Sequence, residues 1–426
     1  MARLGRGQPT NVIVVHGAPT AAAAGWTGNA FNTIVDLSFQ FSPTTAATAT
    51  PVWVELTGKL MRASTKIGRN TELDTYQAGT LRATLDDFER ALDPVNAAGP
   101  YAGNLKPRRS VRMQARVGGV IYPVWRGFID GYPADYQIPL GGRTIVTIPG
   151  ADGLKILAKV RLPAGGSIVG TNDTTSQRVG RILDYAGWPA GDRNLDPDTQ
   201  TQLQALTLSA QTAVSELTTT AAVENNLLHI DQSGRVTLRA RTWAQRHATT
   251  STLTFGDGGG AEIPYRDLTP GYDDRFIVNR ATAQRTGGTL QDFSDSASVT
   301  EFFETSKSLG TMPCLTDFTP LNVAQWVVFQ QAQPAWRVQA IELNTGLDAT
   351  VAAAVLGLNI GTRVTVLRRP NGQGSPISED VSVEGIEHNL DAAKGSWKTT
   401  LYLTPADTVT WWSVGTSLWD TQTRWG

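Results

Sequence analysis

Three groupings of side chains in this chain could do chemistry: its histidines, its paired carboxylates and a short basic run. Histidines at i and i+4 on one helix face would hold zinc. The four present, His16, His229, His247 and His388, are scattered, no two have that spacing, and no His-Glu-x-x-His occurs. His388 falls at an expected strand end and reads as a structural or interface residue. Two carboxylates on either side of a glycosidic bond could hydrolyse it. Asp86 with Asp87, Asp273 with Asp274, and Glu384 with Glu387 are candidates by proximity alone, and neighbouring acids are common at strand ends and turns. Asp196-Pro197-Asp198 opens like a calcium loop but lacks the required glycine and closing glutamate. Gly256-Asp257-Gly258-Gly259-Gly260 is not followed by Lys-Ser/Thr, so it reads as a surface loop rather than a phosphate cradle. Gly415-Thr416-Ser417 begins a nucleophile elbow but continues into Leu418-Trp419. Cys314 is the only cysteine, which excludes an intrachain disulfide and a cysteine-clustered zinc site. No catalytic set, metal site or cofactor is expected.

Two groupings suit contacts between chains better than catalysis. Lys106, Arg108, Arg109, Arg112 and Arg116 form the densest basic run. It reads as a solvated strand face, as a partner for acids of a neighbouring subunit, or, with least weight, as a contact to DNA phosphate. Trp411, Trp412, Trp419 and Trp425 crowd the C-terminal end. Aromatics are enriched at interface cores, so this segment is expected to dock on a partner or a neighbouring subunit. Folding back onto its own chain, or forming a sugar-binding platform, are the alternatives.

The elements that must position these groups are mostly strands. The 426 residues suffice for two or three cores, and 37 basic against 38 acidic residues exclude a polyacidic tail or a strongly basic nucleic-acid binder. No run approaches the about 18 apolar residues that span a bilayer, Val351–Ile360 being the best. The N-terminal Met1-Ala-Arg-Leu-Gly-Arg-Gly has no apolar run behind it, so a cytoplasmic, soluble product is expected.

Residues 1–50 read as an irregular arm with short strands at Asn11–Val15 and Ile34–Phe41. Residues 51–155 read as a β-domain: Leu81, Ala83 and Leu85, then Val111, Met113, Ala115 and Val117, alternate with polar residues. Gly118-Gly119 is a natural hairpin turn. Residues 156–270 read as an α/β insert, with Val179, Ile182, Leu183 and Ala186 on one helical face. A second helix is expected after Ser209 as N-cap. Residues 271–405 return to β, interrupted by a helix with Thr319 as N-cap and Pro320 at its first position. Residues 406–426 are the Trp-rich segment.

The two β-regions look alike. Arg126-Gly127-Phe128-Ile129-Asp130, a Gly141-Gly142 turn and a strand ending at Pro149 and Ala151-Asp152 match Glu384-Gly385-Ile386-Glu387-His388, a turn at Gly395 and a strand ending at Pro405-Ala406-Asp407. The fold class expected is therefore mainly β with an α/β insert, built around two related small barrels.

Several blocks then resemble one family in order. They are Gly68–Thr80, Leu85-Asp86-Asp87, Leu92–Asn96, Gly99-Pro100-Tyr101, Asn104–Arg109 and Tyr122–Asp130. Val383–His388, Thr399–Leu403 and Leu418–Thr421 follow. They are similar to minor tail proteins, or baseplate hubs, of siphophages of actinobacteria, over roughly 52–426 with gaps. The resemblance implies a non-enzymatic virion protein of the tail tip, assembled in the host cytoplasm, with two tail-tube-like β-barrels per chain. It implies a homotrimeric, pseudo-hexameric ring around a lumen that DNA crosses during ejection without specific binding. Implied partners are the hexameric distal tail protein, the tape measure protein and other minor tail or receptor-binding proteins. No room is expected for an appended cell-wall domain. The rival readings are the distal tail protein itself and a tip-associated cell-wall hydrolase or binding module.

Overall fold

The computed structural model describes residues 20–21, 26–71, 74–136, 144–165, 170–224, 227–370 and 375–406. The first half is built from β1 (Asp36–Phe41), β2 (Leu60–Gly68), β3 (Thr80–Asp86), β4 (Ser110–Val117), β5 (Val120–Ile129) and β6 (Thr144–Ala151). Their two-residue periodicity buries one face. Leu37, Phe39 and Phe41 of β1, Leu81, Ala83 and Leu85 of β3, and Val111, Met113, Ala115 and Val117 of β4 are all in the core. Gly118 (φ 57°) and Gly119 (φ 85°) both have positive φ, the requirement of the tight turn that joins β4 to β5.

A small α/β unit follows. Asp152 accepts from the Leu154 N–H to start α1 (Gly153–Leu157). A capping box between Thr174 and Gln177 starts α2 (Thr175–Tyr185), which buries Val179, Ile182 and Leu183 and stops before Gly187 (φ 66°). β7 (Arg193–Leu195), α3 (Ala213–Ala221), β8 (Leu228–Ile230) and β9 (Val236–Leu238) complete it, with β9 central in a three-stranded sheet. The cap of α3 is Thr212, not Ser209, whose N–H and hydroxyl donate to Gln211 instead.

β10 (Thr254–Gly256) and β11 (Asp267–Gly271) belong to the second large sheet. Between β11 and the next strand of that sheet stands a separate unit. It comprises β12 (Arg280–Arg285), β13 (Leu290–Ser294), α4 (Ser296–Phe302), β14 (Ser306–Met312) and α5 (Phe318–Gln331). α5 starts two residues before the expected Pro320, after Asp317; Pro320 still lies in the first turn, where its missing N–H costs no helical bond. β15 (Arg337–Asn344), α6 (Ala349–Leu356), β16 (Arg363–Arg368), β17 (Ile377–Asp391) and β18 (Ser396–Pro405) finish the sheet.

The two sheets have one strand order. In the first, pairing runs β2-β3-β6-β5-β4-β1; in the second, β11-β15-β18-β17-β16-β10. Numbered by position within its half, each reads second, third, sixth, fifth, fourth, first. The last pair differs: β1 is antiparallel to β4, whereas β10 is parallel to β16. No pairing among the described residues closes either set into a barrel. The sets instead merge edge to edge through β2 and the second half of β17, from Gly68↔Gly385 to Arg62↔Asp391. One buried apolar cluster runs through both sheets, while the two α/β units have smaller clusters of their own.

Candidate functional site

The outer face of β1 and β4 takes up much of the basic run. Arg116 donates from Nε and Nη2 to Asp36 Oδ2 at 2.8 and 2.6 Å, and lies 5.0 Å from the Trp26 ring centroid. Arg112 donates to Gln40 Oε1 at 2.7 Å and sits 4.3 Å over Trp53. Burial, with Arg126 nearby, pulls the Arg112 guanidinium down to about 10. Arg109 donates to the Thr45 and Asn104 carbonyls. Arg108 alone of these four arginines is exposed. Arg109, Arg112 and Arg116 thus bind β4 to β1 and the segments beside it within one chain. Trp411, Trp412, Trp419 and Trp425 lie outside the described residues.

Several of the carboxylate candidates are engaged in the fold. Asp87, fully buried, accepts from the Ala91 and Leu92 N–H groups and lies 3.6 Å from Lys59 Nζ. Asp273 caps a short turn and pairs with Arg275. Glu387 accepts from Tyr402 Oη at 2.9 Å beside Lys66. Asp196 accepts from the Asp198 and Ala240 N–H groups and from Arg246. Asp257, in the glycine-rich loop, pairs with Arg368 and Arg369. Among the described residues no group of three or more His, Cys, Asp or Glu could hold a metal, and no helix is long and apolar enough to cross a membrane.

Glu384 belongs to a junction that the sequence did not reveal. It accepts from Arg69 Nε at 2.7 Å and from Tyr76 Oη at 2.8 Å, and both ion-pair partners are buried. The Arg69 guanidinium lies 4.6 Å over the Tyr76 ring, whose other neighbour is His229 at 5.2 Å. First sheet, second sheet and first α/β unit meet at these four residues.

His388 is buried in the second sheet. Trp397 Nε1 donates to its Nδ1 at 3.2 Å, with Thr399 Oγ1 at 2.8 Å, so that nitrogen acts as an acceptor and the ring is neutral. Burial pushes His388 down to about 3, and burial with Arg239 and Arg69 nearby does the same to His229. Both values lie below the ordinary 6.5, so the unfolded chain takes up protons that the folded chain does not. This stabilisation is fully present above pH 6.5 and is lost as pH falls toward 3. The slope per histidine is about 1.4 kcal/mol per pH unit. His388→Gln is expected to flatten the fall. Urea midpoints of wild type and variant should converge as pH drops from about 7 to about 5; parallel curves would exclude His388 as a source.

No protein-family model matches the chain, and no curated protein does. Among solved structures, the tail protein from Neisseria meningitidis MC58 aligns over 87% of this chain and 96% of its own, with a TM-score of 0.56 at 12% identity. The 43 kDa tail protein of prophage MuSo2 from Shewanella oneidensis aligns over 87% and 98%, with a TM-score of 0.54 at 13% identity. The chain has the fold of a phage tail protein. An alignment of that length exceeds what the two large sheets hold, so the tail-protein fold extends into the α/β units. Within it, Asp87, Asp273, Glu384, Glu387 and His388 serve as caps, ion pairs and cross-strand ties.

Proposed function

We propose that the chain is a structural hub subunit of a phage tail tip. Three copies form a ring in which each large sheet is the counterpart of one tail-tube barrel subunit. Six like sheets then match a six-fold tube or distal tail protein on one side and three-fold tip proteins on the other. The single observation that carries this reading is the repeated strand order of the two sheets within one chain. The lumen passes DNA without gripping it, in keeping with a chain of net charge −1. The role is structural, and its site is the virion tail tip. The distal tail protein alternative, with one sheet per subunit, is disfavoured by the second sheet.

Sedimentation of the purified chain tests the proposal. A species of three times the 45.7 kDa of one chain is expected, alone or with its distal tail partner. A chain that stays monomeric at all concentrations, even with that partner, would sink it.

A further inference from the structure

Phe303 is the most exposed large apolar residue of the described chain, at 86%. Its backbone lies at φ 63° and ψ 167°, a region that is essentially reserved for glycine. The surroundings hold it there. Asn279, fully buried, donates from Nδ2 to the Phe303 carbonyl at 2.7 Å and to Ser298 Oγ at 3.2 Å. Its Oδ1 accepts from the Thr305 N–H at 2.7 Å. Asp295 fixes the other end of α4 by accepting from the Ala297 and Ser298 N–H groups. A backbone strained in this way, with an aromatic ring held in water, is built to present that ring.

The lobe around the ring is acidic. Residues 290–307 contain Asp292, Asp295, Glu301 and Glu304 against a single base, Lys307. Arg280 meets Asp292 and Glu304. Glu301, two residues from the ring, is exposed and has no basic partner among the described residues. The 87–109 loop of the first sheet is the complement. Phe88 and Val95 are 69% and 77% exposed. Lys106 and Arg108 are exposed with no acidic partner among the described residues. The loop's acids are already engaged, Asp87 and Glu89 by Lys59 and Asp93 by Arg90. Both patches stand open in the single chain, so they do not satisfy one another within it.

The geometry points to Phe303 as the anchor of a contact between two copies of this chain: the ring and Glu301 of one dock on Phe88, Val95, Lys106 and Arg108 of the next. The two surfaces differ, so the contact is head-to-tail, the kind that closes rings. This rests on the ring reading above.

Phe303→Ala should weaken self-association about 30-fold or more, as for other interface aromatics. Phe303→Gly should lose the same affinity yet melt about 2 °C higher or more, because glycine relieves the backbone. A merely structural Phe303 would not give these opposite signs. Glu301→Lys should also weaken association. Adding Lys106→Glu and Arg108→Glu should recover about tenfold by restoring opposite charges. Sedimentation velocity and thermal melts read all four. Wild-type association in Phe303→Ala overturns the anchor and leaves the ring reading standing. Loss in Phe303→Ala without recovery by the charge exchange overturns the 87–109 loop as its receptor. A wild-type chain that never associates overturns both the contact and the ring.

Discussion

Gly385→Val is expected to yield no soluble folded chain. Gly385 lies where the two sheets merge, register partner of Gly68. A Cβ built on Gly385 would stand 2.5 Å from the Arg69 carbonyl oxygen, 3.2 Å from that of Ile67 and 3.3 Å from the Arg69 nitrogen. A Cβ on Gly68 (φ 86°) would meet the Glu384 carbonyl and stand 2.7 Å from the Gly385 Cα. The obstacles are backbone atoms on both sides. Overpacking costs about 1–3 kcal/mol where side chains can yield; here the strands themselves must part. Parting them opens the pairing from Gly68 to Arg62 and exposes the apolar cluster shared by both sheets. A folded domain has only about 5–15 kcal/mol to lose. Gly191→Val, at an exposed glycine whose Cβ would meet nothing within 4 Å, is the control and should behave as wild type. Soluble yield and urea unfolding by circular dichroism read the outcome. A soluble Gly385→Val with a wild-type midpoint would mean that the seam does not exist as described.

The matched glycines were visible in the sequence, and what they do was not. Gly127 and Gly385 occupy like places in the two repeats, each followed by a turn and a strand ending near proline and alanine. Both prove to be close-approach positions: a Cβ on Gly127 would stand 2.5 Å from the Ala151 carbonyl. The alternating strands β3 and β4 and the Gly118-Gly119 turn were legible because period and turn chemistry are local signals. β10 was not, because three residues take their identity from a partner more than a hundred positions away. α6 shows in the sequence only as an apolar stretch. Its eight residues, mostly alanine and valine, have no polar face to set a period. The unit between β11 and β15 looks in the sequence like further strands with one helix. The strand β12, Arg-Ala-Thr-Ala-Gln-Arg, carries too little apolar contrast to show its own sheet. The basic run misled in a different way. Arg112 and Arg116 were legible as the outer face of β4, but Asp36, Gln40, Trp26 and Trp53, which take them up, come from far earlier in the chain.

Glu384→Ala is expected to cost about 3–5 kcal/mol, the range for breaking a buried ion pair by removing one partner. Among the described residues this carboxylate accepts from both Arg69 and Tyr76, at 2.7 and 2.8 Å, and side-chain exposure of Arg69 and Glu384 is 7% and 8%. Removing it leaves a guanidinium in a poorly solvated place and takes from Tyr76 its hydrogen-bond acceptor. Burial and this carboxylate together hold the Tyr76 phenol well above its usual pKa, so the tyrosine stays a donor throughout the neutral range. Arg69→Met alone should cost a similar amount by stranding Glu384. Arg69→Met with Glu384→Leu should recover most of either loss, because replacing both charges by apolar groups removes the desolvation cost along with the attraction. A double-mutant cycle on urea unfolding measures the difference, and a coupling above about 1 kcal/mol is expected for residues in one network. Additive losses would show that the pair holds nothing together. Strong coupling would make it the tie that sets the two sheets in a fixed relation. In the ring proposed above, that relation would matter more than the strength of either sheet, since a change of angle inside one chain would be repeated at every copy and the ring would no longer close.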